Sequence, residues 1–392
     1  MKFWSIMLAT MLTVFNLSPA WADTCSVGLP AQQLTPLPDL TGTYKGFSGL
    51  LYDGSNSPPP DHDGDGRSLA NGVVPRDTSG NQNPSGKIVF LSLGFSNNTI
   101  EFCGGHPYFQ NDPDDPQASP CPAPQPLQPI TCTVGVNCPY LQIESFLAKA
   151  FAEQYHAGQI VIVDGAKGGI TLDKWDPYSN PACNNTFPCY TEYDRVAGIL
   201  SQAGVTEAQV QSIWFKSADA DPTVSLPAAN ADAYTAETHL GNIVRAIRFR
   251  YQQAHQVFFS PRTYGGYANV AQNPLNPEPF AYELGFSIKW LINSQIQEMR
   301  GNSGDAHAGD LRYRLPNGQR GPGTWIDWGP YLWSDGHACK TGYACVNSDF
   351  RGTSDTRSNE CTHPSTFGED KVSTQLLNFV HSSPYTGWYL AY

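Results

Sequence analysis

The chain of 392 residues carries 35 acidic side chains against 23 lysines and arginines, a formal net charge of −12. That balance argues against roles that depend on attraction to nucleic acid or to an anionic membrane surface. With 40% hydrophobic residues the chain can bury a sizeable core, as one elaborated domain or two ordinary ones.

The chain begins Met1-Lys2, runs through an apolar segment from Ile6 to Leu17 and reaches Ala20-Trp21-Ala22. A basic start, a short apolar core and an Ala-x-Ala site are the pattern of a secretory signal peptide over residues 1–22. The expected product starts near Asp23, is secreted or periplasmic, and has no membrane span, because no later stretch is apolar for long enough. Removing the segment, which holds Lys2 and no acid, takes the net charge from −12 to −13. All ten cysteines follow it, and an even number in an exported chain favours disulfides over metal ligation or a thiol nucleophile. Cys183 with Cys189 and Cys339 with Cys345 are the expected local pairs.

Residues 23–86 are rich in Pro, Gly, Asp and Ser and read as an irregular N-terminal wrap. Within it Asp61, Asp63 and Asp65 have the spacing that opens a calcium loop, although the twelfth position is Gly72 rather than a glutamate. The alternative is a solvated acidic turn. Next, Lys87-Ile88-Val89-Phe90-Leu91-Ser92-Leu93 reads as a buried parallel strand that stops at Gly94 and delivers Ser96 to a sheet edge. Ser96 is there either a reactive hydroxyl or an ordinary polar turn residue. A Pro-rich stretch over 104–140, with three cysteines, reads as a stapled surface insertion.

Beyond the insertion, helix and strand patterns alternate. Helices are expected over Leu141–His156 and Glu192–Gln202, around Leu240, Ile243, Val244, Ile247 and Tyr251, and over Pro279–Arg300 and Phe367–His381. Strands are expected over Gln159–Asp164, Ser212–Lys216, Gln256–Phe259 and Thr324–Trp328. Such alternation implies one α/β domain, residues 23–392, with a parallel sheet of about five strands covered on both faces and right-handed crossovers.

Just before the last helix stands Glu360-Cys361-Thr362-His363-Pro364. A serine hydroxyl becomes a nucleophile when an imidazole takes its proton, and the imidazole needs an acceptor to orient it. His363 can be that base, with Glu360 its acceptor, or a structural histidine.

Four blocks in order, Gly94-Phe95-Ser96-Asn97, Gly168-Gly169-Ile170-Thr171, Trp214-Phe215-Lys216-Ser217-Ala218-Asp219 and Glu360 to Pro364, resemble the SGNH, or GDSL-like, hydrolase superfamily. The segments Arg262 to Tyr267 and Asn276 to Pro279 resemble an exported, largely uncharacterised branch of it. The resemblance implies a three-layer α/β/α flavodoxin-like fold and serine ester hydrolysis without a cofactor. Ser96 would be the nucleophile, His363 the base and Glu360 the acid. It further implies an oxyanion hole from the Ser96 amide, the Gly169 amide and the block-three side chain, each donor contributing about 2.7–4 kcal/mol.

Two positions depart from the family. Residue 219 is Asp where the family has Asn, and an ionised carboxylate cannot donate to an oxyanion. Either Asp219 is protonated in a dry site, or Asn97 or Asn98 supplies the donor, or activity is impaired. Residue 360 is Glu where Asp is usual, which still allows it to accept from an imidazole. Cys361 belongs with a disulfide in an oxidising compartment.

Other candidates keep two readings each. Arg262 and Tyr264 line a substrate pocket, or Arg262 pairs with Glu278 or Glu283. Trp175 and Trp328 are sugar-stacking platforms, or core. The expected function is removal of acetyl or another short acyl group from a carbohydrate-type alcohol, the partner being a small-molecule or glycan ester. The alternatives are a lapsed SGNH fold serving as a glycan-binding or envelope module, and a lipase for long acyl chains.

Overall fold

A computed structural model describes residues 34–103, 144–153, 159–268, 276–336, 346, 349–350 and 361–391. The segment expected to be a signal peptide, the expected Pro-rich insertion, Cys339, Cys345 and Glu360 lie outside the described residues. In chain order the elements are a short hairpin of β1 (Thr43–Tyr44) and β2 (Phe47–Ser48), then α1 (Pro60–Ala70), β3 (Ile88–Gly94), α2 (Ser96–Cys103), α3 (Phe146–Ala152) and β4 (Ile160–Asp164). There follow α4 (Leu172–Trp175), α5 (Thr191–Gln202), β5 (Val210–Lys216), α6 (Asp232–Arg250), β6 (Gln256–Phe259), α7 (Phe280–Met299), β7 (Trp325–Trp328), α8 (Thr366–Ser382) and α9 (Gly387–Ala391).

Five strands form one parallel sheet in the order β4-β3-β5-β6-β7. Every residue of β3, β4, β5, β6 and β7 is buried, which is why these strands read as continuous apolar runs rather than alternating ones. Alternate residues face opposite layers. Val89, Leu91, Val161, Ile213, Val257 and Ile326 pack with α5, α6 and α7, whereas Ile88, Phe90, Ile160, Trp214, Phe258 and Trp325 pack with α2, α3, α8 and α9. This is the expected three-layer α/β arrangement. Numbered along the sheet alone the order is 2-1-3-4-5, the flavodoxin-like winding, with its switch point between β3 and β5.

The N-terminal wrap is less irregular than its composition implies, since it contains α1. Pro60 occupies the first turn, Asp61 and Asp63 follow it, and Arg67 bonds Asp63 one turn back at 2.8 Å. Gly64 and Gly66 hid this helix in the sequence. Gly66 is required for contact rather than flexibility, because a Cβ there would lie 2.3 Å from the Trp325 ring. The calcium reading is thereby corrected. Asp61, Asp63 and Asp65 project from a helix instead of converging in a loop. Each is already bonded: Asp61 to Arg300 at 2.6 and 2.8 Å, Asp63 to Arg67 and Tyr385, and Asp65 to Tyr313 at 2.5 Å.

Cys183 and Cys189 form the expected local disulfide, and Cys103 and Cys361 are disulfide-bonded as well. None of the described helices is long and apolar enough to cross a membrane.

Candidate active site at the switch point

Ser96 is held by the main chain before any side chain is considered. Strand β3 ends at Gly94, which adopts φ +153° so closely against β5 that a Cβ would lie 1.9 Å from the Lys216 carbonyl oxygen. Two residues later Ser96 opens α2, so its N–H is one of the first-turn amides without an intrahelical partner. The helix is then pinned beneath the hydroxyl. The Asn98 side chain donates to the Leu93 carbonyl at 2.8 Å and accepts from Ser92 Oγ at 2.5 Å, and Thr99 Oγ1 donates to Asp164 Oδ2 at 2.5 Å. Burial pushes the Asp164 carboxyl up to about 6 even though Thr99 and the Ala166 amide donate hydrogen bonds to it.

Glu101 makes a buried pair with Lys216, the last residue of β5, its carboxylate accepting through both oxygens, one of them at 2.6 Å. The two side chains are 1% and 0% exposed. Burial raises the Glu101 carboxyl and lowers the Lys216 ammonium, and each charge opposes the shift of the other. The Arg262 guanidinium adds its positive charge to both, favouring the Glu101 carboxylate and disfavouring the Lys216 cation. An apolar strand ending in lysine was the visible sign of this pair; its partner, 115 residues away, was not.

His363 arrives from the far end of the chain. Its loop is fixed behind by α8, whose N-cap Ser365 accepts from Gly368 N, and by the Ser365 amide donating to Asp349 O at 2.9 Å. In front, Cys361 is disulfide-bonded, and Asn97 Nδ2 donates to the Thr362 carbonyl at 3.0 Å. These constraints set His363 Nε2 2.7 Å from Ser96 Oγ, with both residues buried at 4% and 3% exposure. In the tautomer protonated on Nδ1, Nε2 accepts the serine proton, the relation a hydroxyl nucleophile requires.

The remaining expected residues divide. Gly169, at φ +73°, stands in the turn beyond β4, at the same sheet edge as Ser96. Asn97 is wholly buried and has one amide N–H committed to Thr362. Asp219 follows β5 but turns to His239 on α6, with Oδ1 2.9 Å from Nδ1. Burial alone would lower the His239 pKa; the hydrogen bond and charge of Asp219, with Asp176 and Asp173 behind, more than offset it, and the net shift is upward. Sequence patterning offered no signal for His239.

Arg262 and Tyr264 are both buried. Arg262 is 0% exposed and its Nε donates to the Asn276 carbonyl at 3.0 Å. Tyr264 packs edge-on against Tyr267 and Trp333. The two acids considered as partners for Arg262 are engaged elsewhere as well. Glu278 accepts from Gly265 N, Tyr282 N and Trp333 Nε1, and Glu283 accepts from Tyr44, Lys45 and Leu226 N. Trp175 and Trp328 are buried, their indole N–H groups donating to the Gly94 and Leu51 carbonyls, which assigns both to the core.

No family model matches the chain, and no curated protein matches it. Among solved structures, an Arabidopsis thaliana protein known from X-ray work is 11% identical, with a TM-score of 0.37 over 78% of this chain and 98% of its own. A second solved chain is also 11% identical, with a TM-score of 0.31 over 78% of this chain and 99% of its own. Likenesses at this level bear no weight in the assignment.

Proposed function

We propose that the chain is an exported serine ester hydrolase of the SGNH type, acting on short acyl esters of carbohydrate-like alcohols. The observation that carries this reading is the 2.7 Å approach of His363 Nε2 to Ser96 Oγ at the flavodoxin-like switch point. In the proposed reaction His363 takes the serine proton as Ser96 Oγ bonds to the acyl carbon. The carbonyl oxygen becomes an oxyanion held by the Ser96 and Gly169 amides. Collapse breaks the bond to the alkoxide, which leaves with the proton from His363. Water, deprotonated by the same ring, then releases the acid and restores Ser96. Glu360 is the proposed orienting acid. A lysine–glutamate pair and two disulfide-anchored segments around the serine and histidine support the reading, because such a site works only when held rigidly.

Hydrolysis of p-nitrophenyl acetate by the wild type and by Ser96→Ala tests the proposal. The wild type should turn over the ester and the variant should fall to background; equal rates in the two would overturn it. Chain-length profiling separates this reading from a lipase, which would favour the longer esters.

The second reading, a lapsed hydrolase that binds glycans, draws on Asp219, which stands where the family carries a donor and is bonded to His239. Asp219→Asn restores an amide at that position. A rise in esterase rate would mean that the carboxylate costs oxyanion stabilisation, and a fall would give it a task of its own.

A further inference from the structure

Away from the switch point, one buried carboxylate among the described residues has no hydrogen-bond partner. Glu237 on α6 is 0% exposed, and neither of its side-chain oxygens has a hydrogen bond. Leaving a carboxyl group buried without a donor is unfavourable, and such groups in folded proteins are generally explained by a proton, a water or an ion. Burial, reinforced by the negative charge of Asp305, pushes this carboxyl up to about 8.

What faces Glu237 is a set of ligand groups. Single ligand atoms from Glu237, Asp305 and His307 all lie within 4.8 Å of one another, and Asp305 and His307 are exposed. The segment that carries these two residues is clamped in place. Arg245 Nη1 donates to the Ala308 carbonyl at 2.7 Å, and a Cβ on Gly241 would lie 2.0 Å from that same oxygen. Glu237, Gly241 and Arg245 are spaced four apart and so share one face of α6, the face that this segment covers. Ser294 Oγ on α7 accepts from the Asp305 amide at 2.8 Å. The His307 ring is stacked on Tyr234, centroids 4.9 Å apart, and Tyr234 is stacked in turn on Trp290.

Asp305 and His307 also bond to each other, Nδ1 to Oδ1 at 2.9 Å, and the His307 amide donates to the same oxygen at 2.9 Å. A local turn accounts for those contacts. It does not account for a carboxylate delivered from another element, fully buried and without a donor.

We propose that Glu237, Asp305 and His307 form a divalent metal site selective for zinc, which ties α6 to the segment beyond α7. One imidazole nitrogen and two carboxylate oxygens suit Zn²⁺, whose ligands lie about 2.0–2.2 Å from the ion and so roughly 3–3.6 Å from each other. Binding therefore requires side-chain rotations that contract the observed cluster to that size. The imidazole disfavours calcium and magnesium, which take oxygen ligands. Two exposed ligands leave the ion a path from solvent and an open coordination position. This site is independent of the hydrolase reading.

The test uses the full mature chain without a histidine tag, stripped with a chelator and dialysed. Zinc chloride is titrated by calorimetry, and the metal content after gel filtration is measured by mass spectrometry. The expected result is one zinc per chain, with Tm higher by about 3 °C at a hundredfold excess over Kd. His307→Ala, an exposed change that leaves the core untouched, should weaken binding at least about tenfold and so cut the Tm shift at the same zinc concentration by about half or more. Glu237→Gln should do the same. Zinc binding unaltered in both variants, or no stoichiometric zinc on the wild type, would overturn the site. So would calcium binding as tightly as zinc.

Discussion

Two buried carboxylates mark two differently built regions. Glu101 lies under the Ser96 helix and faces the Lys216 ammonium, with the Arg262 charge behind it. Glu237 lies on α6 and faces another acid and an imidazole, with no donor to either oxygen. The first region supplies its own countercharge from the end of a neighbouring strand. The second leaves that charge to come from solution. The contrast predicts that the switch-point region keeps its stability without added ions, whereas the α6 corner gains stability when a cation arrives.

The largest effect expected concerns the first region. His363→Ala should lower the rate of p-nitrophenyl acetate hydrolysis on the order of 10⁴-fold, because the serine loses its base. Steady-state kinetics at one pH measures it, and a drop of less than tenfold would detach His363 from the reaction.

Next in size is stability. Glu101→Gln leaves the buried Lys216 cation without the anion it is bonded to and should cost about 3–5 kcal/mol in urea denaturation. Lys216→Met should cost less, since Arg262 still balances Glu101. The reverse order would mean that Arg262 does not share the charge.

Glu237→Gln sharpens the comparison. In chelator-treated protein the amide should leave stability nearly unchanged at pH 7, unlike Glu101→Gln, because a carboxyl pushed up to about 8 is already largely neutral there and the substitution removes little charge. A loss as large as that of Glu101→Gln would show that Glu237 has a partner within the protein.

The smallest effect concerns pH. His239 is raised by Asp219 and its neighbours, so the stability it lends is complete below its unfolded value of about 6.5 and is lost as pH rises through the raised folded value. Asp219→Asn should bring the His239 titration down, as read from its imidazole NMR signals, and should flatten the stability profile above pH 6.5. An unmoved titration would mean that the other acids hold the proton.

Much of this was legible in the residues. Fully buried parallel strands are unbroken apolar runs, so all five, from Ile88–Gly94 to Trp325–Trp328, stood out with ends within about two residues. Gly94-Phe95-Ser96 and Thr362-His363 were visible as a serine at a strand end and a histidine before a helix. Helix α1 was not, because Gly64 and Gly66 make its composition that of a loop, and the need for Gly66 comes from Trp325, more than 250 residues away. Glu237 was invisible for the opposite reason. In sequence it is an ordinary acid on an amphipathic helix, and only the packing of residues 305–308 over it makes it unusual.

The cramped fit of Gly94 against the Lys216 carbonyl limits how this protein can be altered. The Ser96 hydroxyl is located by a meeting of two backbones, so changes to the side chains around it need not displace it. Position 94 itself tolerates no such freedom: even alanine would push the two strand ends apart and carry the hydroxyl away from its imidazole.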